Sequence, residues 1–262
     1  MGLVAASTFF YINDESQQLV VERIPIPIKN LPPGLEGFRI AQITDIHLYP
    51  LTKPALVSQA VEITNGLKPD LIVLTGDYVW HEAEVIHELT PILARLNARH
   101  GVYAIMGNHD IWTDEALIMA AFAEARLPML VNQGLTISEG GASFYLAGLD
   151  DGWSGAPDLD AALTGMPSGA PVILLYHEPD LARDTSLDPR ISLQLSGHTH
   201  GGQIRLPLIG APVLPYLGWK YDQGLYKVND MWLYTNRGIG MTNIPFRYNC
   251  PPEISEFTLM RA

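Results

Sequence analysis

The sequence predicts an α/β fold built on parallel, buried strands, with a second sheet packed on the first. Short β-rich runs alternate with helical stretches in the first half, each run ends on a polar motif, and the second half is richer in strands. Runs that are apolar throughout suit strands covered on both faces, which is the parallel case. Two sheets bury one another more readily than either is buried alone.

In chain order, FRIAQITD reads as a strand, Pro54 to Leu67 as a helix, LIVLTGD as a strand, Ala83 to Asn97 as a helix and VYAIMGN as a strand. This is a βαβαβ pattern. The strands expected in the second half are MLVNQ, LTISE, SFYLAGLDD, PVILLYHEP, ISLQLSGHTHGG and MWLYTNRG, with a helix near Asp158 to Leu163. Ahead of all these, residues 23–37 (RIPIPIKNLPPGLEG) hold four prolines and two glycines, which suits an extended lead-in. The expected division is therefore an N-terminal extension and lead-in over 1–37 and one compact domain over 38–262. The apolar start, MGLVAASTFFYINDE, falls short of the roughly 20 residues that span a bilayer and lacks the basic flank of a signal peptide. A disordered or packed end, or the remnant of a removed signal, are its two readings.

Composition narrows the function classes. With 16 Lys and Arg against 28 Asp and Glu, the net charge of −12 repels a phosphate backbone, so nucleic acid is not expected as a general partner. The single cysteine, Cys250, excludes an internal disulfide and a thiolate metal cluster. Any metal is left to His, Asp and Asn.

Those residues gather at the expected strand ends. The pieces are Asp45-Ile-His47, Gly76-Asp77, Gly107-Asn108-His109-Asp110, His177, and Gly197-His198-Thr199-His200-Gly201-Gly202. In an open α/β sheet this edge is where ligands bind. A two-residue spacing on an extended segment would point Asp45 and His47 to one side, and likewise His198 and His200. Any one fragment alone is more often structural. Together they make a nitrogen and oxygen donor set suited to zinc, manganese or iron, in which Asp77, with two carboxylate oxygens, is the candidate bridge between two ions. Five of the eight histidines fall in these motifs.

The ordered set DIH, GD, GNHD, YHEP and GHTHGG resembles the calcineurin-like metallophosphoesterases. The stretches SGHTHGGQIRLP and YTNRGIGMTNIPFR are similar to the bacterial YkuE-like and YaeI-like branch of that superfamily. The resemblance implies a four-layer αββα sandwich of two mixed sheets flanked by helices. It also implies two divalent metal ions, the first held by Asp45, His47, Asp77 and His200, the second by Asp77, Asn108, His177 and His198. The implied reaction is hydrolysis of a phosphodiester or pyrophosphate bond by a metal-bridging hydroxide, with His109 acting on the phosphoryl group or leaving oxygen and Asp110 orienting it. A pyrophosphatase of the UDP-diacylglucosamine type is the alternative substrate reading, and a metal-binding scaffold without activity is the alternative class. The implied substrate is a small-molecule or lipid-linked phosphoester. Compartment stays open, because relatives often carry an export signal or anchor and neither is complete here.

Weaker signals have bland competitors. Asn236 and Arg237 are read as substrate-binding, since a guanidinium grips phosphate in two-point fashion, against a structural salt bridge or turn. Asp150 and Asp151 read as loop caps rather than catalysts. LPLIGAPVLPYLGW reads either as hairpin packing or as an apolar wall for a lipid or nucleoside, or a lip leaning on a membrane. Trp80, Trp112 and Trp153 line the pocket or sit in the core, and Cys250 reads as a small buried hydrophobe.

Overall fold

The computed structural model describes residues 14–262, so the apolar start read above lies almost wholly outside the described residues. Two sheets face each other. The first has the order β1 (Val20–Ile28), β11 (Glu253–Arg261), β2 (Arg39–Ile43), β3 (Leu71–Thr75), β4 (Val102–Ile105). The second has the order β5 (Gln133–Glu139), β6 (Ala142–Gly148), β7 (Val172–Leu175), β8 (Ile191–Ser196), β10 (Met231–Thr235), β9 (Gly224–Val228). Strands β2, β3 and β4 are parallel, as are β6, β7, β8 and β10, while β11 and the edge strands β5 and β9 supply the antiparallel pairs.

Three apolar clusters fill the layers. Ile40, Leu71, Val73 and Phe257 of the first sheet meet Phe144, Leu146, Ile173, Leu193 and Leu195 of the second. On the outer face of the first sheet, Ile43, Ile72 and Leu74 pack against α1 (Pro54–Leu67), α2 (Ile86–Leu93) and α3 (Asn108–Glu124). On the outer face of the second, Ala147, Leu174 and Leu233 pack against α4 (Leu159–Ala162) and α5 (Ala182–Thr185). The result is the four-layer αββα sandwich. Helix α1 shows how the sequence makes it: Pro54 starts the helix, where a missing N–H costs nothing, and Leu56, Val57, Ala60, Val61 and Thr64 recur on one buried face.

The segment read as a lead-in belongs to the sheet, and the boundary expected near Phe38 is corrected. Residues 20–28 run parallel to β11 over nine paired positions, Ile26 and Ile28 are buried, and the carbonyl of Pro27 accepts a hydrogen bond from the Trp232 indole of the second sheet at 2.8 Å. The prolines that suggested a linker are tolerated because β1 is an edge strand, where a residue without an N–H interrupts no ladder. Helix α3 and strands β9 and β11 were not foreseen, and of MLVNQ only Gln133 enters a strand, β5, while Met129 makes an isolated bridge to Ala104.

Ile26→Ala is accordingly expected to cost about 2–5 kcal/mol in urea-induced unfolding, the range for truncating a buried aliphatic side chain. A loss near the ~0.5 kcal/mol of ordinary surface changes would put the segment outside the cooperative core.

Candidate metal centre

The carboxyl ends of β2, β3, β4, β7 and β8 open onto one edge of the sandwich, and all seven expected ligands are buried there. They form two groups: Asp45, His47 and His200, and Asp77, His177 and His198, with the potential ligand atoms of each group within 4.8 Å of one another. Asp77 joins them. Its Oδ2 lies 3.3 Å from His47 Nε2 and 3.3 Å from His177 Nε2.

The way the side chains converge differs from the expected alternation along a strand. Each strand has ended before its motif, and Asp45, His47, Asp77, His198 and His200 have φ of 50°, 45°, 58°, 73° and 52°. Left-handed backbone at non-glycine residues costs roughly 1–2 kcal/mol apiece and persists only where surrounding bonds impose it. Here the N–H groups of Ile46 and His47 both donate to the Asp77 carbonyl, at 2.8 and 3.0 Å, and Asp45 N–H donates to Gly76 O at 3.0 Å.

Backbone carbonyls also fix the rings. His47 Nδ1 donates to Val79 O at 3.1 Å, His177 Nδ1 to Thr75 O at 2.7 Å, and His198 Nε2 to Tyr216 O at 2.7 Å. A carbonyl only accepts, so each ring turns its other nitrogen inward, where loss of a proton leaves a lone pair for an ion. His177 Nε2, His198 Nδ1 and Asn108 Oδ1 are buried without a hydrogen-bond partner, and His47 Nε2 stands 3.0 Å from His200 Nε2. Unpaired acceptors converging in this way fit cations, and imidazole, carboxylate and amide donors without a thiolate fit divalent manganese, iron or zinc. Burial pushes the Asp77 carboxyl up, but the His177 and His47 imidazoles more than reverse this and hold it well below the usual range.

His109 stands outside the ligand groups. Its N–H donates to Asp77 Oδ1 at 2.9 Å, its ring lies at 26° over Trp80 with centroids 4.2 Å apart, and Nδ1 sits 3.3 Å from the Trp80 carbonyl. Burial pushes its imidazole down to about 4 against the pull of Asp77, so the ring is neutral near pH 7. With Nδ1 turned to Trp80, Nε2 is the nitrogen left for the cavity of about 410 Å³, which Trp80, Trp112 and Trp153 also line.

Three expected roles change. Asp110 does not orient the His109 ring: its carboxylate accepts from the N–H groups of Gly107, Asp77 and Tyr78 at 3.0, 2.9 and 2.8 Å, locking the GD and GNHD loops together. Arg237 does not face the cavity. Its guanidinium is committed to Glu253 and Glu22, both at 2.6 Å. Asn236 is likewise structural, donating to Ser255 Oγ and accepting from Gly238 N–H. The competing readings of Asp150 and Asp151 hold, since both carboxylates accept backbone N–H groups of the 151–156 loop. Cys250 is buried.

No role was expected for Arg247, the last residue of YTNRGIGMTNIPFR, whose fully buried guanidinium donates to the carbonyls of Gly240, Arg237 and Cys250 at 2.6, 2.9 and 3.0 Å and lies 3.4 Å from His200 Nδ1. Its place in that stretch is the one local signal that marks it.

A model of the calcineurin-like phosphoesterases matches residues 38–202, which is most of the chain and spans every ligand. The chain belongs to that family. It is 38% identical to the metallophosphoesterase YkuE of Bacillus subtilis, covering 87% of this chain and 81% of YkuE, and 33% identical to phosphodiesterase YaeI of Escherichia coli, covering 85% and 82%. A bovine transmembrane protein with a metallophosphoesterase domain is 34% identical over 94% of this chain, which spans 58% of that protein. Among solved structures, TT1561 of Thermus thermophilus shares the fold at a TM-score of 0.54 and 12% identity, over 78% of this chain and 90% of that one. NAD nucleotidase of Haemophilus influenzae does so at 0.53 and 14%, over 78% and 45%. The phosphoesterase is thus a metal-dependent phosphoric ester hydrolase by family, with two candidate metal groups in place.

Elemental counting by plasma mass spectrometry is expected to find two divalent ions per wild-type chain, about one in His47→Ala or His177→Ala, and depletion of both in Asp77→Ala. Arg237→Ala is expected to lower stability while leaving KM for a phosphoester within about twofold, because its partners are Glu22 and Glu253; a large rise in KM at constant kcat would restore its substrate role.

Proposed function

We propose that this phosphoesterase hydrolyses a phosphodiester or pyrophosphate bond at a centre of two divalent ions, drawn from manganese, iron and zinc. The observation that carries the reading is the Asp77 carboxylate lying between two buried groups of donors, each with lone pairs free. Asp45, His47, Asp77 and His200 would hold one ion, and Asp77, Asn108, His177 and His198 the other. When bound, such ions polarise phosphoryl oxygens and lower the pKa of a water between them.

The chain's own residues supply the rest. The hydrogen bond from His109 N–H orients Asp77 Oδ1, and the Asp110 carboxylate, accepting from Asp77 N–H, holds the backbone that carries it. The negative charge of a bound phosphoester would favour a proton on His109 Nε2, which would contact a phosphoryl oxygen and pass that proton to the leaving oxygen, the ring regaining one from the attacking water. The stacked Trp80 and the Nδ1 contact to its carbonyl fix the ring plane for that task.

Preference for a diester or pyrophosphate is supported by likeness to a relative named a phosphodiesterase and by a wide mouth walled by Trp112, Trp153, Val213 and Ile244. The same apolar wall favours, as a second reading, a pyrophosphate joined to a lipid, as in UDP-diacylglucosamine. A scaffold without activity fits poorly, since all seven ligands and His109 are present.

Metal-replete protein is expected to turn over bis-p-nitrophenyl phosphate faster than p-nitrophenyl phosphate, with a nucleotide-sugar panel separating diester from pyrophosphate. An inert protein with both metals counted would sink the reading. His109→Ala is expected to retain both ions and lose roughly 10²- to 10⁴-fold in kcat, the usual scale for a proton-transfer group; full turnover in that variant would remove the role.

A further inference from the structure

Three exposed aromatic side chains stand round the mouth of the metal centre, and each is tied to a residue of that centre. Trp112 follows His109 by three positions on α3, so the two share a helix face and their rings meet at 4.8 Å. Trp153 is held through its loop: the N–H groups of Trp153 and Ser154 donate to Asp151 Oδ1 at 3.0 and 2.6 Å, and Gly152 N–H donates to Glu178 Oε2 at 2.9 Å. Asp151 and Glu178 are fully buried, and Glu178 adjoins the ligand His177. A Cβ on Gly152 would strike Leu181 and the Tyr176 hydroxyl, so only glycine gives the loop this seat. Tyr216 gives its carbonyl to His198 Nε2 at 2.7 Å.

The rings form a corner rather than a flat wall. Trp112 meets Trp153 at 81° with centroids 4.8 Å apart, and Trp153 meets Tyr216 at 66° and 5.4 Å. Trp153 also stands at 87° to the ligand His198, 5.9 Å away. After these contacts Trp112, Trp153 and Tyr216 are still 49%, 40% and 60% exposed, and the two tryptophans line the same cavity as His109 and the metal ligands. Burying two carboxyl groups to hold an exposed tryptophan is costly, and core packing does not call for it. A flat ring entering the corner would stack on one face and meet the edge of the next, the arrangement that ring quadrupoles favour. An acyl chain has no use for ring orientation, and it would desolvate Asn243 and Thr242, whose amide and hydroxyl belong to the lining of that cavity. Such groups suit the polar edge of a heterocycle instead.

We propose that Trp112, Trp153 and Tyr216 bind a planar nitrogen heterocycle of the nucleobase type, joined through its sugar to the phosphoryl group at the metal centre, and so set a preference for nucleotide-linked phosphoesters. Cleavage of the bound molecule rests on the phosphoesterase reading; seating of the base does not. One base stacked on a protein ring tightens a ligand by roughly tenfold.

The test is titration calorimetry of the full-length, metal-loaded chain with AMP, UMP and ribose 5-phosphate, the last of which lacks the base. In wild type at least one nucleotide is expected to bind about tenfold more tightly than ribose 5-phosphate, and to quench tryptophan fluorescence that ribose 5-phosphate leaves unchanged. The double variant W112L/W153L is expected to bring the two affinities within about twofold, while W112F/W153F keeps most of the difference, because phenylalanine retains a ring face and leucine only apolar volume. Metal counts in both variants are expected to match wild type. Equal binding of nucleotides and ribose 5-phosphate by wild type overturns the proposal, as does a difference that survives in W112L/W153L. Octyl phosphate binding more tightly than either nucleotide, and equally in both variants, would assign the corner to an aliphatic chain instead. Turnover of bis-p-nitrophenyl phosphate is read on the same samples. Base-dependent binding without turnover would sink the hydrolase reading and leave the base site standing, and turnover without base discrimination would do the reverse.

Discussion

The site depends on a single arrangement repeated around it: three buried histidines and the central carboxylate each spend one end on the backbone and turn the other toward the metal position. His47, His177 and His198 each give one ring nitrogen to a carbonyl, and Asp77 accepts the His109 N–H on one oxygen while the other lies between two imidazoles. The backbone half satisfies much of the desolvation penalty of burying these groups and removes their rotational freedom. The unpaired half is the function. Without cations, acceptors left in a dry site are costly, so affinity for metal and stability of the fold are two views of one free energy.

Holding that arrangement requires the motif loops to approach one another more closely than side chains permit. A Cβ on Gly76 would strike Gly107 and the His177 ring, and one on Gly107 would strike Asp77 and His177. Gly76 also has a φ of 98°. With that close approach secured, one carboxylate, Asp110, can gather N–H groups from both loops. The glycines of the GD and GNHD motifs are thus part of the metal geometry, although they contribute no donor atom.

Much of this was legible from the sequence, for identifiable reasons. Strands β3 and β4 are apolar runs and β2 is one broken only by Arg39 and Gln42, each ending at a polar motif, and α1 has its proline start and one buried face, so local pattern and tertiary role agree. The ligands were legible as an ordered set of rare residue types. Their backbone was not, because the left-handed conformations at Asp45, His47, Asp77, His198 and His200 are imposed by bonds between loops that are distant in sequence. Arg237 was misread for the same reason: a guanidinium beside a strand end looks alike whether it meets phosphate or Glu22, which lies 215 residues away. β1 was misread because proline content speaks against a central strand but not against an edge. Trp80 sits beside the GD motif, yet only the fold turns its ring onto His109.

The division of ligands between the two sheets has a further consequence. Asp45, His47, Asp77 and Asn108 follow strands of the first sheet, whereas His177, His198 and His200 follow strands of the second. Each candidate metal group draws on both. The spacing of the ligands is therefore set by the apolar layer between the sheets, where Ile40, Val73 and Phe257 meet Phe144, Ile173 and Leu195, and by the buried amide of Gln42, which donates to Thr75 Oγ1 at 2.8 Å and across the interface to Ser196 O at 3.0 Å. A close-packed interior transmits changes of volume rather than absorbing them. Residues of the inter-sheet core are for that reason part of the metal site in all but donor atoms, and ions seated across the interface would in turn staple one sheet to the other.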